Sequence, residues 1–208
     1  TAEITSYKLE QARYGEIREG SAVMIYVTEP FLPEQQVKAD NSHKTNIPVL
    51  KLNSTKNYIT GIYPYSIMTS SFYPVHDNQH AIKVSFSSQE WCGHVYAQLN
   101  NRDDFEITSH SYFESEGDQD YSMEKGILEN EIWNKVRIDP KNLPIGEVSI
   151  VPSLEFIRLT HKELKANNAT PITANTEDSI TPRINRITTP YWQQKSNKDL
   201  SLRDSLGL

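Results

Sequence analysis

Cys92, His94, Tyr96, His110 and Tyr112 bring thiol, imidazole and phenol groups into one short stretch of the chain. Cys92, His94 and Tyr96 alternate along the sequence, as do His110 and Tyr112. That is the period of a β-strand, whose side chains point to opposite faces in turn. The segments Trp91–Leu99 and Phe105–Phe113 flank a polar loop, Asn100–Asp104, and read as a hairpin. A loop symmetric about Arg102 pairs Leu99 with Phe105, Ala97 with Ile107 and Trp91 with Phe113 on an apolar face that Val95 shares. The same register sets His94 opposite His110, Cys92 opposite Tyr112 and Tyr96 opposite Thr108 on the other face. The expectation is that the two histidines are direct cross-strand neighbours, with Cα atoms about 4.5–5.5 Å apart.

Two kinds of chemistry suit such a face. Imidazole and thiolate are preferred zinc ligands, so a metal-dependent reaction is one. A Cys92–His94 nucleophile pair is the other, but alternate residues on one strand face lie roughly 6.5–7 Å apart, beyond hydrogen-bond reach. No oxyanion-hole element accompanies the pair. The competing reading of all five residues is a polar, aromatic-lined outer face. Cys92 is the one cysteine, so no intramolecular disulfide and no Cys-x-x-Cys zinc motif is available. Glu114, Glu116 and Asp118 form an acidic loop without the D-x-D-x-D-G calcium pattern. No cofactor motif is present, and no residue is assigned a catalytic or metal-binding role. Cys92, His94, Tyr96, His110 and Tyr112 stand as candidate ligand-binding residues.

The elements that position these residues read as mainly β. Strand candidates are Ala2–Leu9, Ala22–Thr28, Pro48–Leu52, Tyr58–Ile62, the stretch from Tyr63 to Tyr73, and Ile82–Ser87, where Ile82, Val84 and Phe86 alternate with polar residues. Tyr14–Gly20 reads as turn-rich, Pro33–Asn46 as a loop, Asn53–Asn57 as a break and Glu116–Ser122 as an acidic loop. Met123–Val136 is the helix candidate: Leu128, Ile132 and Val136 recur every four residues and predict a stripe buried on the sheet. Asp139-Pro140 ends it. Glu147–Leu159 predicts one or two strands around Pro152, and Lys198–Leu206 a short helix. The architecture expected is a curved antiparallel sheet or open barrel with one central helix, about 123–136, packed on it. Residues 1–165 form that domain, and 166–208 form a polar, partly irregular segment of the same domain.

The 208 residues are 37% hydrophobic and 10% aromatic, sufficient for a packed core. A net charge of −6 without a basic stripe excludes an ordinary nucleic-acid binder. No apolar run approaches the ~20 residues of a membrane-spanning helix. The chain opens on Thr1, not Met, and is strand-like at once, so a removed leader is expected.

Further residues carry a likeness. Ser87–His94 reads Ser-Ser-Gln-Glu-Trp-Cys-Gly-His, with Gly61-Ile62-Tyr63-Pro64-Tyr65-Ser66 upstream and Leu128–Arg137 downstream. On these segments the chain resembles an uncharacterised family of Bacteroidetes exported proteins or lipoproteins, often mislabelled "septum formation inhibitor Maf". The likeness extends to Glu3–Tyr7, Pro152-Ser153-Leu154 and the stretch from Tyr191-Trp192 to Leu206, and so spans most of the chain. Similar proteins carry more strand-like sequence between the regions of Asn167 and Thr189. True Maf proteins are similar to nucleotide pyrophosphatases of α/β fold, and their glycine- and Lys/Arg-bearing substrate loops have no counterpart here. The resemblance implies export, to the periplasm or as an outer-membrane-anchored lipoprotein whose leader has been removed. It brings no activity and no functional residue. The expected function is a non-enzymatic envelope protein that binds or carries an apolar ligand, such as a lipid, or docks an envelope protein. The alternatives are a hydrolase or metal-dependent enzyme using the Cys92/His94/His110 face, and a structural or assembly lipoprotein.

Overall fold

The computed structural model describes residues 2–76 and 79–170, together with the backbone of residues 174–176 and 179–181. The chain builds one large antiparallel sheet by running up and down in sequence order. Its strands are β1 (Ala2–Arg13), β2 (Glu16–Leu32), β4 (Ile47–Thr60), β5 (Tyr63–Pro74), β6 (Lys83–Glu90), β7 (Gly93–Asn101), β8 (Phe105–Ser111) and β9 (Gln119–Met123), while β3 (Val37–Lys38) pairs with the end of β2. The sheet is open rather than closed into a barrel, as β1 and β9 do not pair with each other.

Polar segments join strands that sequence polarity alone assigns to loops. Glu16–Gly20 belongs to β2, residues 53–57 run unbroken through β4, and Gln119–Met123 forms β9 on β8. One face of an antiparallel sheet faces water, so polar residues are tolerated there and the neighbouring strand decides the pairing. Within β4, Asn53 also accepts a hydrogen bond from Ser70 of β5 at 2.7 Å.

Leu128, Ile132 and Val136 are all buried, but not as one helical stripe on the sheet: Leu128 joins the main core, whereas Ile132 and Val136 pack with Ile150 and Ala169. The helix itself is shorter than 123–136. Met123 ends β9, and Ile127–Leu128 forms β10, parallel to β11 (Val148–Val151). A single 3-10 turn, Glu129–Glu131, then leads into α1 (Ile132–Ile138). Gly126 explains part of this: a Cβ there would lie 3.2 Å from the Ser149 carbonyl oxygen, a close approach suited to strand pairing. After Pro152 the chain turns into α2 (Glu155–Thr160) rather than a second strand, and His161 ends it in the left-handed conformation, φ 56°.

These pieces cover one face of the sheet. Leu128, Val151, Leu154, Ile157 and Leu164 pack on Tyr65, Ile67, Val84, Phe86, Val95, Ala97, Leu99, Phe105 and Ile107. Two fully buried polar residues key α1 to the strands. Ala81 N–H donates to Glu131 Oε2 at 2.7 Å, with His80 Nδ1 3.0 Å from Oε1. Ser71 Oγ donates to Asn134 Oδ1 at 2.5 Å, and Asn134 Nδ2 donates to the Leu50 carbonyl at 2.8 Å. Buried polar groups demand partners, so these bonds fix where α1 sits. Beyond residue 165, β12 (Asn167–Ala169) pairs with β11, and Ala169 packs with Ile132, Val136 and Ile150. That segment therefore starts within the same domain. A short hairpin of β13 (Ala174–Thr176) and β14 (Ser179–Thr181) follows. The 198–206 helix expectation and Tyr191-Trp192 lie outside the described residues. Among those residues, no helix is long and apolar enough to cross a membrane.

Candidate functional site

The hairpin forms with its faces as expected but with a different register. Val95, Ala97, Leu99, Phe105 and Ile107 are buried on the inner face. The turn spans residues 102–104, centred on Asp103 rather than Arg102, with Arg102 N–H donating to the Asp104 carbonyl. Pairing therefore slips by two residues: Leu99 faces Ile107, Asn101 faces Phe105 and Tyr96 faces His110. His94 instead faces Gln89 on β6, so the two histidines are not direct neighbours. A slip of two preserves every face, which is why alternation alone cannot detect it.

The five candidate residues do not converge. His94 is exposed, and His110 lies 3.4 Å from the equally exposed Asp118. Tyr96 donates its hydroxyl to Gln98, starting a polar ladder through Asn100 to Gln36. Cys92 is a free, exposed thiol in the β6–β7 turn. Trp91, expected on the inner face, also sits in that turn and is exposed. Among the described residues, no three His, Cys, Asp or Glu side chains are arranged to hold a metal ion.

Tyr112 has a structural task in this region. Its ring lies against Gly93, where an added Cβ would come within 2.5 Å of Tyr112 Cγ, and Gly93 has φ 152°. Gly93→Ala is expected to lower stability by about 1–3 kcal/mol through backbone strain and displacement of the ring. Urea unfolding measures it. A loss under about 0.5 kcal/mol would mean that the ring moves aside freely and the contact is incidental.

A different group of side chains does converge, beneath the end of the sheet where the hairpin turns lie. α2 presents Glu155 and Arg158, three apart and hence on one helix face, to the strand ends. Arg158 holds Glu90 in a two-pronged pair, Nε to Oε1 at 2.5 Å and Nη2 to Oε2 at 2.7 Å. Both side chains are almost wholly buried, at 3% and 1% exposure. Tyr63 donates to Glu90 Oε2 at 3.0 Å and accepts from Cys92 N–H at 2.6 Å, which ties the turn to the pair. The guanidinium of Arg158 lies 4.1 Å from the centre of the Phe113 ring. Alternation could have revealed Glu90, because it shares a strand face with Val84 and Phe86. Arg158 carried no such signal, since its segment read as strand.

A second, partly buried group adjoins the first. Lys56 pairs with Glu155 at 2.8 Å, and Arg13 donates to the Leu159 carbonyl at 3.2 Å. Arg13 also lies over the Tyr14 ring, 4.3 Å from its centre. The Tyr58 and Tyr65 rings stack at 4.8 Å, and the Tyr65 hydroxyl meets that of Tyr14 at 3.1 Å. Desolvation first, then Glu155, raises the pKa of Tyr58, while Arg13 opposes them. Tyr63 is raised as well, by desolvation first and also by its bond to Glu90, while the backbone N–H of Cys92 opposes them, in keeping with a phenol that stays protonated and hydrogen-bonds to Glu90. Beside α2 an open cleft of about 550 Å³ is lined by residues including Glu116, Phe156, His161 and Lys162. His161 Nδ1 stands 2.5 Å from Glu116 Oε1, but that oxygen has no hydrogen-bond partner, so the contact is a misaligned one. Mixed lining and openness make this a wetted surface depression.

Above these groups, the sheet ends in a row of turns bearing large exposed side chains. The β1–β2 turn carries Tyr14, the β4–β5 turn Ile62 and the β6–β7 turn Trp91, while Tyr112 follows β8. The meander places all four at one end, because each terminates an upward strand. Tyr63 bridges part of the row, with its ring 5.7 Å from Trp91 and 5.2 Å from Tyr65.

The architecture is that of a mainly β protein: an open antiparallel meander sealed on one face by a short helical segment. No protein-family model matches the chain, and searches of curated proteins and of solved structures find no significant match.

Proposed function

We propose that the chain is a non-enzymatic binding protein of the cell envelope, which meets an apolar ligand or a protein partner through the turn-bearing end of its sheet. The observation that carries this reading is the distribution of side chains. Four large apolar or aromatic residues that are strongly exposed, Tyr14, Ile62, Trp91 and Tyr112, lie together at that end, whereas others such as Ile4 and Ile145 stand singly elsewhere, and the charged groups beneath the four pair with one another. The three residues of the enzyme alternative are apart: Cys92 sits in a turn, His94 faces Gln89 and His110 lies beside Asp118. The placement in the envelope, as an exported protein or lipoprotein, rests on the family resemblance of Ser87–His94 and its companion segments.

The packing of the inner face also bears on how a ligand would bind. Leu154, Ile157 and Leu164 fill the space against the sheet, which favours surface contact over enclosure in an apolar cavity. Native mass spectrometry of protein isolated from a cell envelope, with and without prior cross-linking, tests the proposal. The expected result is a discrete added mass, lipid or protein, that survives alkylation of Cys92. Hydrolytic turnover abolished by Cys92→Ser or His110→Ala would replace this reading with the enzyme alternative.

A further inference from the structure

We infer that the row of hairpin tips is a seat for the surface of a lipid bilayer, with zwitterionic headgroups as its first contact. The inference deepens the binding reading above and rests on it. Its basis is the make-up of the tips. The turns are two-residue loops, Tyr14-Gly15, Gly61-Ile62 and Trp91-Cys92, and none contains a charged residue. Tyr14 is 68% exposed, Ile62 84%, Trp91 66% and Tyr112 72%. Ile17 and Ile59 stand two residues inside their turns and are more than half exposed. Tyrosine and tryptophan favour the interface between water and hydrocarbon, because their rings are apolar and their polar atoms stay wet.

The arrangement suits a flat, soft partner. Two-strand hairpins repeat every ~10 Å across a sheet, so the tips form a line of separate wedges and not a pocket. A protein interface is generally anchored by a central, well-packed pocket with a polar rim. The charges flanking the three turns have partners: Glu90 pairs with Arg158 in the interior, Glu16 with Arg18 at 2.6 Å on the surface, and Arg13 donates to the Leu159 carbonyl. Lowering this end onto lipid therefore strips water from few free charges. The opposite end of the sheet is the reverse, with Glu34, Asp40, Lys44, Arg102, Asp103 and Asp104 in its loops. This asymmetry orients the molecule. The acidic Glu114 and Asp118 just beyond Tyr112 argue for zwitterionic rather than anionic lipid.

The test is sedimentation of the full chain with extruded phosphatidylcholine vesicles. The chain is expected to pellet with them. In a Trp133→Phe/Trp192→Phe background, Trp91 emission should shift to the blue on vesicle addition. Ile62→Ser should weaken partitioning by about tenfold, the worth of one buried aliphatic side chain. Because Ile62 makes no core contact, that variant stays folded, as circular dichroism would verify. Val37→Ser, at the opposite end, should leave partitioning unchanged. Failure to pellet, or equal pelleting of Ile62→Ser, overturns the bilayer seat. So does pelleting only with anionic vesicles and its loss in salt, which is adsorption by scattered cations. If pelleting fails while native mass spectrometry still finds a discrete bound mass, the binding reading stands without the seat. If neither method finds a bound species, both fall.

Discussion

Arg158→Ala is expected to cost about 3–5 kcal/mol of folding stability, the usual result of removing one partner from a buried ion pair. The truncation leaves Glu90 with a 1% exposed carboxylate and only neutral donors, Tyr63 and a long contact from Ser88 at 3.4 Å. It also removes the cation that lies over Phe113. The effect should extend to α2, which Arg158 anchors to β6. Urea unfolding of the single variants Arg158→Ala and Glu90→Ala and of the double variant gives the coupling directly. A loss below about 1 kcal/mol for Arg158→Ala would show that water reaches the pair and that α2 is held by its apolar residues alone. Replacing both partners by apolar residues of similar size is expected to be far milder than either truncation, since no charge is then stranded.

Phe105→Ala should be comparably severe, at about 3–5 kcal/mol, because its ring is wholly buried and the site cannot fully collapse. The ring stands edge-on to His80 at 5.5 Å, and His80 in turn contacts Glu131 on the covering segment. Loss of the ring therefore loosens both the β7–β8 hairpin and the seat of α1. Phe105→Leu, which retains most of the volume, should cost less than about 1.5 kcal/mol. Thermal and urea unfolding of the two variants provide the comparison. Equal losses would point to a specific aromatic contact with His80 rather than to volume.

Phe105 also marks where the local pattern is informative and where it ends. Its burial follows from alternation with Ile107, and so does the burial of Val95, Ala97 and Leu99. Its partner does not, because Asn101, and not Leu99, lies opposite. The histidine pair expected from the sequence depended on that partner choice and is absent for the same reason. Glu90 presents the same division: its place on the inner face is implied by Val84 and Phe86, yet nothing nearby indicates the cation 68 residues away.

The sequence by itself determined the class of the protein and the faces of its strands, because side-chain direction in a strand depends only on position along it. It likewise placed Leu128, Ile132 and Val136 in the interior. Tertiary structure alone decided the register of the hairpin, the recruitment of polar residues 53–57 and 119–123 into strands, and the folding of residues 155–160 as helix. It alone joined Glu90 to Arg158 and aligned Tyr14, Ile62, Trp91 and Tyr112 along one end. Each of these is a choice among partners distant in the chain. Such choices are settled by which neighbours together bury apolar surface and satisfy buried polar groups, and local spacing carries no record of them.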